Sequence, residues 1–170
     1  IIINAAGCGS TLVKYGELLK DDPAWANRAE AFSAKVKDLV TWLDSSRFAV
    51  SGSCAKVTYH DACHLAHAQG ITLEPRRLVK AKSGGEFVEF GESDLCGGSA
   101  GTYNRTEPEM ASRLQKRKVQ NIIDSGAEVV VTTNPGCLLQ IQSGLRKAGA
   151  HQIRALHIAD YLLESDTSAG

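Results

Sequence analysis

The run Val129-Val130-Val131-Thr132-Thr133-Asn134-Pro135-Gly136-Cys137 predicts a buried strand that ends in turn residues and leads into a helix. Three other stretches have the same order of a strand-like run followed by a cysteine, and they are residues 1–8, 57–63 and 87–96. In an open parallel sheet, ligands bind beyond the carboxyl ends of the strands. We therefore expect thiols that follow successive strands to converge there, as the ligands of an iron–sulfur or zinc centre.

The composition is that of a folded domain without a dominant charge. The chain has 170 residues, of which 43% are hydrophobic and 22% are charged, so we expect a packed core. Its 19 basic and 19 acidic residues cancel, which argues against a general nucleic-acid-binding protein. No run of about 20 apolar residues is present, so no membrane span is expected. Five cysteines without a secretory signal favour metal or redox use over a disulfide framework.

Strand and helix patterns alternate along the chain. The hydrophobic pattern predicts strands over residues 1–7, 56–60, 86–90, 129–133 and 153–156. It predicts helices after Cys8, from Pro23 (with Asp22 as N-cap) to about Asp44, and over residues 74–82, 106–125, 137–148 and 157–164. Thr106 and Glu109 have the spacing of a capping box, and Gly126 is a natural stop for the helix between them. This order predicts an α/β fold, with a mostly parallel open sheet and helices on both faces.

Two stretches of the chain share one pattern. Residues 1–8 and 130–137 each run from an aliphatic strand, through a small or turn residue, to Gly-Cys and a helix. The chain also opens on Ile-Ile-Ile, without Met and inside a strand-like run. We therefore interpret residues 1–50 as the tail of an upstream cysteine-rich repeat and residues 51–170 as a second such repeat. Both would belong to a longer protein.

The spacing of the cysteines supplies a family resemblance. Here 32 residues separate Cys63 from Cys96, and 36 separate Gly97 from Asn134, which precedes Cys137 at Cys-x-x-Cys spacing. This resembles the cysteine-rich CCG domain family, whose motif is Cys, a long spacer, Cys-Cys-Gly, a similar spacer and Cys-x-x-Cys. The flanking residues 7–16, 59–63, 95–104 and 134–137 look most like the glycolate oxidase (glycolate dehydrogenase) iron–sulfur subunit.

The resemblance implies a role in electron transfer. It implies a non-catalytic fragment of an oxidoreductase subunit, in which an iron–sulfur cluster passes electrons from flavoprotein partner subunits towards a quinone-type acceptor. It also implies a cytoplasmic location, with peripheral association at the inner face of the membrane as a further expectation.

Two positions depart from the family motif. Gly97 replaces the second Cys of Cys-Cys-Gly, and Asn134 replaces the first Cys of Cys-x-x-Cys. Cys63, Cys96 and Cys137 remain as expected metal ligands, one fewer than the four thiolates that iron–sulfur clusters commonly use. The candidates for an additional ligand are His60, His64 and Asn134. Gly97, Gly98 and Gly101 would allow the backbone to approach a cluster closely and to donate amide hydrogen bonds.

The remaining cysteines have other interpretations. Cys8 is expected to belong to the site of the upstream repeat, and its place at a helix start, like that of Cys137, favours thiolate character. Cys54 lies in a Ser/Gly linker and fits no motif.

Two alternative functions stay open at this point. The first is a structural or docking module that is metal-free or holds zinc in a Cys3His site. The second is a thiol enzyme that uses Cys63 or Cys96 as its nucleophile beside a histidine.

Overall fold

A three-stranded parallel sheet forms the centre of the fold. The computed structural model describes residues 1–46, 52, 55–99 and 101–164. The sheet has the order β3-β4-β5, from Val57–His60, Val129–Thr132 and Arg154–His157. Its register aligns Val57 with Val129 and Val129 with Arg154. All residues of β3 and β4 are buried, as expected for parallel strands that helices cover on both faces. The predicted α/β fold with parallel strands is confirmed.

Helices connect the strands and cover the sheet. In the described part of the chain they are α1 Ala6–Leu12, α2 Tyr15–Leu18, α3 Ala26–Ser33, α4 Leu39–Ser45, α5 Cys63–Ala66, α6 Leu73–Lys82, α7 Tyr103–Thr106, α8 Pro108–Asp124, α9 Pro135–Lys147 and α10 Ile158–Leu163. None of them is both long enough and apolar enough to cross a lipid bilayer. The helices predicted over residues 74–82, 137–148 and 157–164 correspond to α6, α9 and α10, whose ends lie within two residues of the predicted ones.

The sheet separates two hydrophobic cores because successive strand residues point to opposite faces. Val129 and Val131 contribute to one core, which α4, α6 and α10 complete. Val130 contributes to the other core, which contains residues of α8 and α9. Helices therefore lie on both faces of the sheet, and the loops at its carboxyl edge are held by both layers.

The first strand lies outside the central sheet, and here the sequence-based prediction was wrong. The strand predicted over residues 1–7 is only β1, Ile2–Ile3, and it pairs in parallel with β2, Lys37–Asp38. The helix predicted from Pro23 to about Asp44 is interrupted at β2, and its first part, α3, begins at Ala26 with Trp25 as N-cap. Asp38 ends that strand and caps α4, since its carboxylate accepts a hydrogen bond of 3.0 Å from the Val40 amide.

Two further local predictions need correction. Residues 86–90 do not form a strand, because their pairing is limited to a single parallel bridge between Val57 and Phe87. Thr106 does not cap α8, because the helix begins at Pro108 and the Thr106 hydroxyl points back towards carbonyls of the preceding turn. The predicted stop is correct, since α8 ends at Asp124 and Gly126 has a φ of 68°.

Candidate metal centre

Three cysteines that are remote in sequence line one cavity at the carboxyl edge of the sheet. Cys63, Cys96 and Cys137 surround a volume of about 340 Å³. Its other lining residues are Gly7, His64, Ser99, Gly101, Asn134 and Gly136. Among the described residues, no three His, Cys, Asp or Glu side chains converge closely enough to hold a single metal ion. Cys63 and Cys96 lie within hydrogen-bonding reach of each other, whereas Cys137 interacts with both only through their charge, so the three sulfurs do not meet at one point.

The strand ends position these cysteines. Cys63 is the first residue of α5, and two residues lie between it and the end of β3. Cys137 is the third residue of α9, which begins after a short turn from β4. Cys96 lies in the loop that follows the bridge between Val57 and Phe87. Because β3 and β4 are parallel neighbours, their carboxyl ends place Cys63 and Cys137 on the same side of the sheet.

A buried ion pair connects the loops that carry Cys63 and Cys96. Arg76 on α6 donates to both carboxylate oxygens of Asp61, at 2.7 and 2.6 Å, and also to Glu89 at 3.0 Å. Ser93 completes the connection, because its hydroxyl and its carbonyl both bond to Asp61. The Asp61 side chain is 4% exposed. A bidentate pair of this kind fixes orientation as well as distance, so it holds the two loops in register.

Gly98 brings a backbone amide to the Cys96 sulfur. Its N–H donates to Cys96 Sγ at 3.4 Å, as the glycine-rich sequence of this loop led us to expect. The residue has a φ of 88°, and a Cβ at this position would lie 2.6 Å from the Ala111 carbonyl oxygen. Glycine is therefore required here both by conformation and by the close approach of α8.

Asn134 bridges the start of α1 and Cys137. Its side-chain oxygen, Oδ1, accepts a hydrogen bond of 3.2 Å from the Gly7 backbone amide, and its Nδ2 donates to Cys137 Sγ at 3.5 Å. The amide oxygen, which is the atom an asparagine would offer to a metal, is thus engaged. In this arrangement Asn134 orients a thiol and links it to the N-terminal segment of the chain.

Burial and mutual repulsion favour the protonated thiols when no metal is bound. Burial raises the pKa of Cys137; the hydrogen bond from Asn134 opposes this increase, and the neighbouring charges of Cys63 and Cys96 add to it. Burial also raises the pKa of Cys63, with Cys96 as the next contribution. The expectation that its helix start gives Cys137 thiolate character is therefore wrong for the free thiol. A bound metal deprotonates coordinating thiols outright.

The histidine candidates occupy different places. His64 lines the cavity, and its Nδ1 lies 3.5 Å from Cys63 Sγ. His60 does not line it: this residue is 1% exposed on β3 and bonds to the backbone of Ser93. Burial, followed by the charge of Lys118, lowers the pKa of His60 to about 3, so this imidazole is neutral.

Three other candidates, Cys8, Gly97 and Gly98, also lie outside the cavity lining. Cys8 is exposed on α1, although its neighbour Gly7 reaches the cavity. Gly97 accepts a hydrogen bond from Gln140 through its carbonyl. Cys54 lies outside the described residues, as does most of the predicted linker around it.

Three residues of the cavity were not predicted from sequence. The Ser99 hydroxyl bonds to the Cys137 sulfur, and Gly7 and Gly136 line the wall beside Asn134. The glycines had a visible signal, because both precede a cysteine in the two similar stretches. Ser99 had none, since only the folded loop brings it to α9.

The match to known proteins agrees with this arrangement. The family model for the cysteine-rich domain, CCG, matches residues 57–142, which include all three cavity cysteines. This chain belongs to the cysteine-rich domain family. Lactate utilization protein A of Exiguobacterium sp. is 34% identical over 167 residues, covering 96% of this chain and 68% of that protein.

Longer relatives resemble this cysteine-rich domain as well. The probable glycolate oxidase iron–sulfur subunit of Bacillus subtilis is 43% identical and matches 97% of the chain. The glycolate oxidase iron–sulfur subunit of Escherichia coli is 34% identical and matches 94%. The chain spans 38% and 39% of the lengths of these two relatives.

Proposed function

We propose that this chain is a cluster-bearing domain of an iron–sulfur oxidoreductase subunit of the glycolate oxidase type. The observation that carries the proposal is the convergence of Cys63, Cys96 and Cys137 on one cavity, although 32 and 40 residues separate them along the chain. The names of the relatives from Bacillus subtilis and Escherichia coli, both glycolate oxidase iron–sulfur subunits, indicate the type of complex.

The donor set and the spread of the sulfurs favour a cluster over a single ion. Thiolates select iron–sulfur clusters, zinc and copper(I), whereas carboxylate sites select harder ions. A cluster contains several metal and sulfide atoms, so its ligands stand farther apart than those of a single ion. When bound, it would supply a centre that accepts and releases single electrons. His64 is the candidate for an additional ligand because it lies beside Cys63 in the cavity.

The surrounding donors have a defined role in this proposal. Gly98 N–H points to Cys96, while Asn134 Nδ2 and the Ser99 hydroxyl point to Cys137. Hydrogen bonds to the ligating sulfurs stabilise negative charge and so favour the reduced cluster. These hydrogen-bond donors would keep the reduction potential of the cluster in a range that suits electron transfer, and they would not react themselves.

The proposed partners follow from the type of complex. Flavoprotein subunits would deliver the electrons, and a quinone-type acceptor would receive them. The location would be the cytoplasm, including peripheral association with the inner face of the membrane. The domain itself would then be non-catalytic, since it contains the relay and not the site of glycolate oxidation.

We also propose that residues 1–50 are the tail of an upstream repeat and that Cys8 belongs to the site of that repeat. Cys8 and Cys137 are each the third residue of their helix, after a parallel strand and a glycine. Their N-cap residues, Ala5 and Asn134, are both extended. This local similarity supports the interpretation of residues 51–170 as the second repeat.

Anaerobic reconstitution tests the proposed function. The chain is incubated with ferrous iron and sulfide, desalted, and assayed for iron, acid-labile sulfide and visible absorbance. We expect stoichiometric cluster in the wild type, loss in Cys63→Ser, Cys96→Ser and Cys137→Ser, and retention in the control Cys8→Ser. A folded wild-type chain that takes up no iron would contradict the proposal.

Zinc binding in a structural module is the second candidate. It is favoured by one specific observation, the 3.5 Å distance between His64 Nδ1 and Cys63 Sγ, because Cys3His is a common closed zinc site. Zinc binding would require the cavity side chains to move closer together than they are in this structure. Metal analysis of protein purified without reconstitution separates the two candidates. One equivalent of zinc that resists replacement by iron would select the structural module.

A further inference from the structure

A lysine ammonium is buried behind the Cys96 loop. Lys118 on α8 is 1% exposed, and its Nζ donates to the Glu92 carbonyl oxygen and lies 4.9 Å from the centre of the Phe90 ring. Glu92 is the only non-glycine residue with a positive φ in the described part of the chain, at 59°. The loop therefore adopts a costly conformation at the residue whose carbonyl receives the ammonium.

This buried cation has no ion-pair partner among the described residues, since no carboxylate oxygen lies within 4.0 Å of Nζ. Asp94, Glu92 and Asp61 act on the ammonium at longer range, and Glu92 and Asp61 pair with Arg117 and Arg76 instead. The neighbouring His60 is neutral and offers no negative charge. A buried charge without an ion-pair partner is expensive, so an additional anion nearby would stabilise it.

The proposed cluster site lies in the right direction for that anion. The Lys118 stem packs under the Cys96 loop, where a Cβ at Gly97 would be 3.9 Å from Lys118 Cγ. Asp94, Glu92 and Asp61 stabilise the ammonium most, in that order, and negative charge at Cys96 adds a smaller contribution of the same sign. Burial lowers the pKa of Lys118 to about 8, which leaves the protonated form predominant at pH 7.

We propose that Lys118 is the buried counter-charge of the metal centre and raises its reduction potential. The inference rests on the proposed function, because it requires a thiolate-bound cluster beside Cys96. Thiolates make such a cluster anionic, and reduction adds one electron and therefore one more negative charge. A fixed positive charge stabilises the reduced form more than the oxidised form, so net charge is one determinant of cluster potential.

Redox titration of matched variants tests this role. Lys118→Met removes the charge and keeps an extended stem, while Lys118→Gln also keeps an N–H donor for the Glu92 carbonyl. Lys118→Arg retains the charge. The control is Lys116→Met, because Lys116 is exposed on the same helix. Each reconstituted protein is titrated with mediators and followed by visible absorbance and electron paramagnetic resonance.

The expected result is a lower potential in both neutral variants. Each should shift the one-electron equilibrium at least tenfold towards the oxidised cluster, which corresponds to 59 mV. Lys118→Arg and Lys116→Met should stay within about twofold of the wild type. If both neutral variants fail to retain the cluster while Lys118→Arg retains it, the requirement for charge is also supported.

Other results would overturn the inference. A cluster with the wild-type potential in either neutral variant would show that the charge at Lys118 does not act on it. Loss of the cluster from all three Lys118 variants would assign the residue to packing. Failure of the wild type to bind a cluster would instead overturn the proposed function, so the two failures are distinguishable.

Discussion

Replacement of Gly98 by alanine should destabilise the chain and disrupt the Cys96 loop. At a φ of 88°, a side chain is strained, which costs about 1–2 kcal/mol. The new Cβ would also lie 2.6 Å from the Ala111 carbonyl oxygen and 2.9 Å from its Cα, both backbone atoms of α8. Overpacking of this kind costs about 1–3 kcal/mol. We therefore expect a loss of about 2–5 kcal/mol in the free energy of unfolding.

Two neighbouring glycines provide matched controls. At Gly97 a Cβ would make only ordinary contacts of 3.9 Å, so Gly97→Ala should cost less than about 1 kcal/mol. Gly101 has a φ of 51° but open space around it, so Gly101→Ala should show only the conformational cost of about 1–2 kcal/mol. The expected order of stability loss is Gly98 above Gly101 above Gly97.

Urea denaturation of the metal-free proteins measures this order, and reconstitution measures its consequence. Any shift of Gly98 away from Ala111 also moves the N–H that contacts Cys96 Sγ, so Gly98→Ala should bind less iron than the other two variants. Equal stability and equal iron content in Gly98→Ala and Gly101→Ala would refute the reasoning, since α8 would then yield to the new methyl group without cost.

Three further predictions concern the groups around the cavity. Arg76→Met should cost about 2–4 kcal/mol in urea denaturation because it leaves the buried Asp61 unpaired, whereas the exposed Arg77→Met should cost clearly less; equal costs would contradict this. Asn134→Asp keeps an acceptor for the Gly7 amide but loses the donor to the Cys137 sulfur. Redox titration should therefore show a retained cluster with a lower reduction potential. An unchanged potential would contradict the role of Asn134 as a donor to sulfur. In the metal-free protein, mass spectrometry should find Cys8 alkylated faster than the buried Cys137, because the raised pKa of Cys137 should delay its reaction to higher pH. Reconstitution should protect Cys137 from alkylation but not Cys8. Equal alkylation rates of the two cysteines would contradict this order.

The central strand of the sheet, β4, could be predicted from the sequence because it is a continuous aliphatic run. The short aliphatic run from Val129 to Val131 predicts a buried strand, and the turn residues after it mark the start of α9. The cysteines then follow from topology, since parallel strands end at one edge. The convergence of Cys63 and Cys137 was therefore predictable before any coordinates.

The N-terminal region could not be predicted in the same way. Apolar residues from Ala29 to Leu43 keep helical spacing across two helices, so periodicity alone conceals β2 between them. The signal that resolves this is Asp38, which caps α4, but its role depends on β2 pairing with β1. Tertiary pairing decided the local structure here.

The polar surroundings of the cavity were also invisible in the sequence. Ser99 and Lys118 lie 19 residues apart, and only the packing of α8 against the Cys96 loop brings both towards the thiols. His60 was an attractive ligand candidate because it is close to Cys63 in sequence. Strand alternation turns it to the face that α8 covers, where it lies near Lys118 and is not part of the cavity lining.

Anomalous X-ray scattering at the iron absorption edge tests the central claim most directly. Crystals of the anaerobically reconstituted chain should show a multi-iron peak inside the cavity, in bonding contact with the sulfurs of Cys63, Cys96 and Cys137. A peak bound to fewer than two of these sulfurs, or a cavity without iron in protein that contains it elsewhere, would contradict the account.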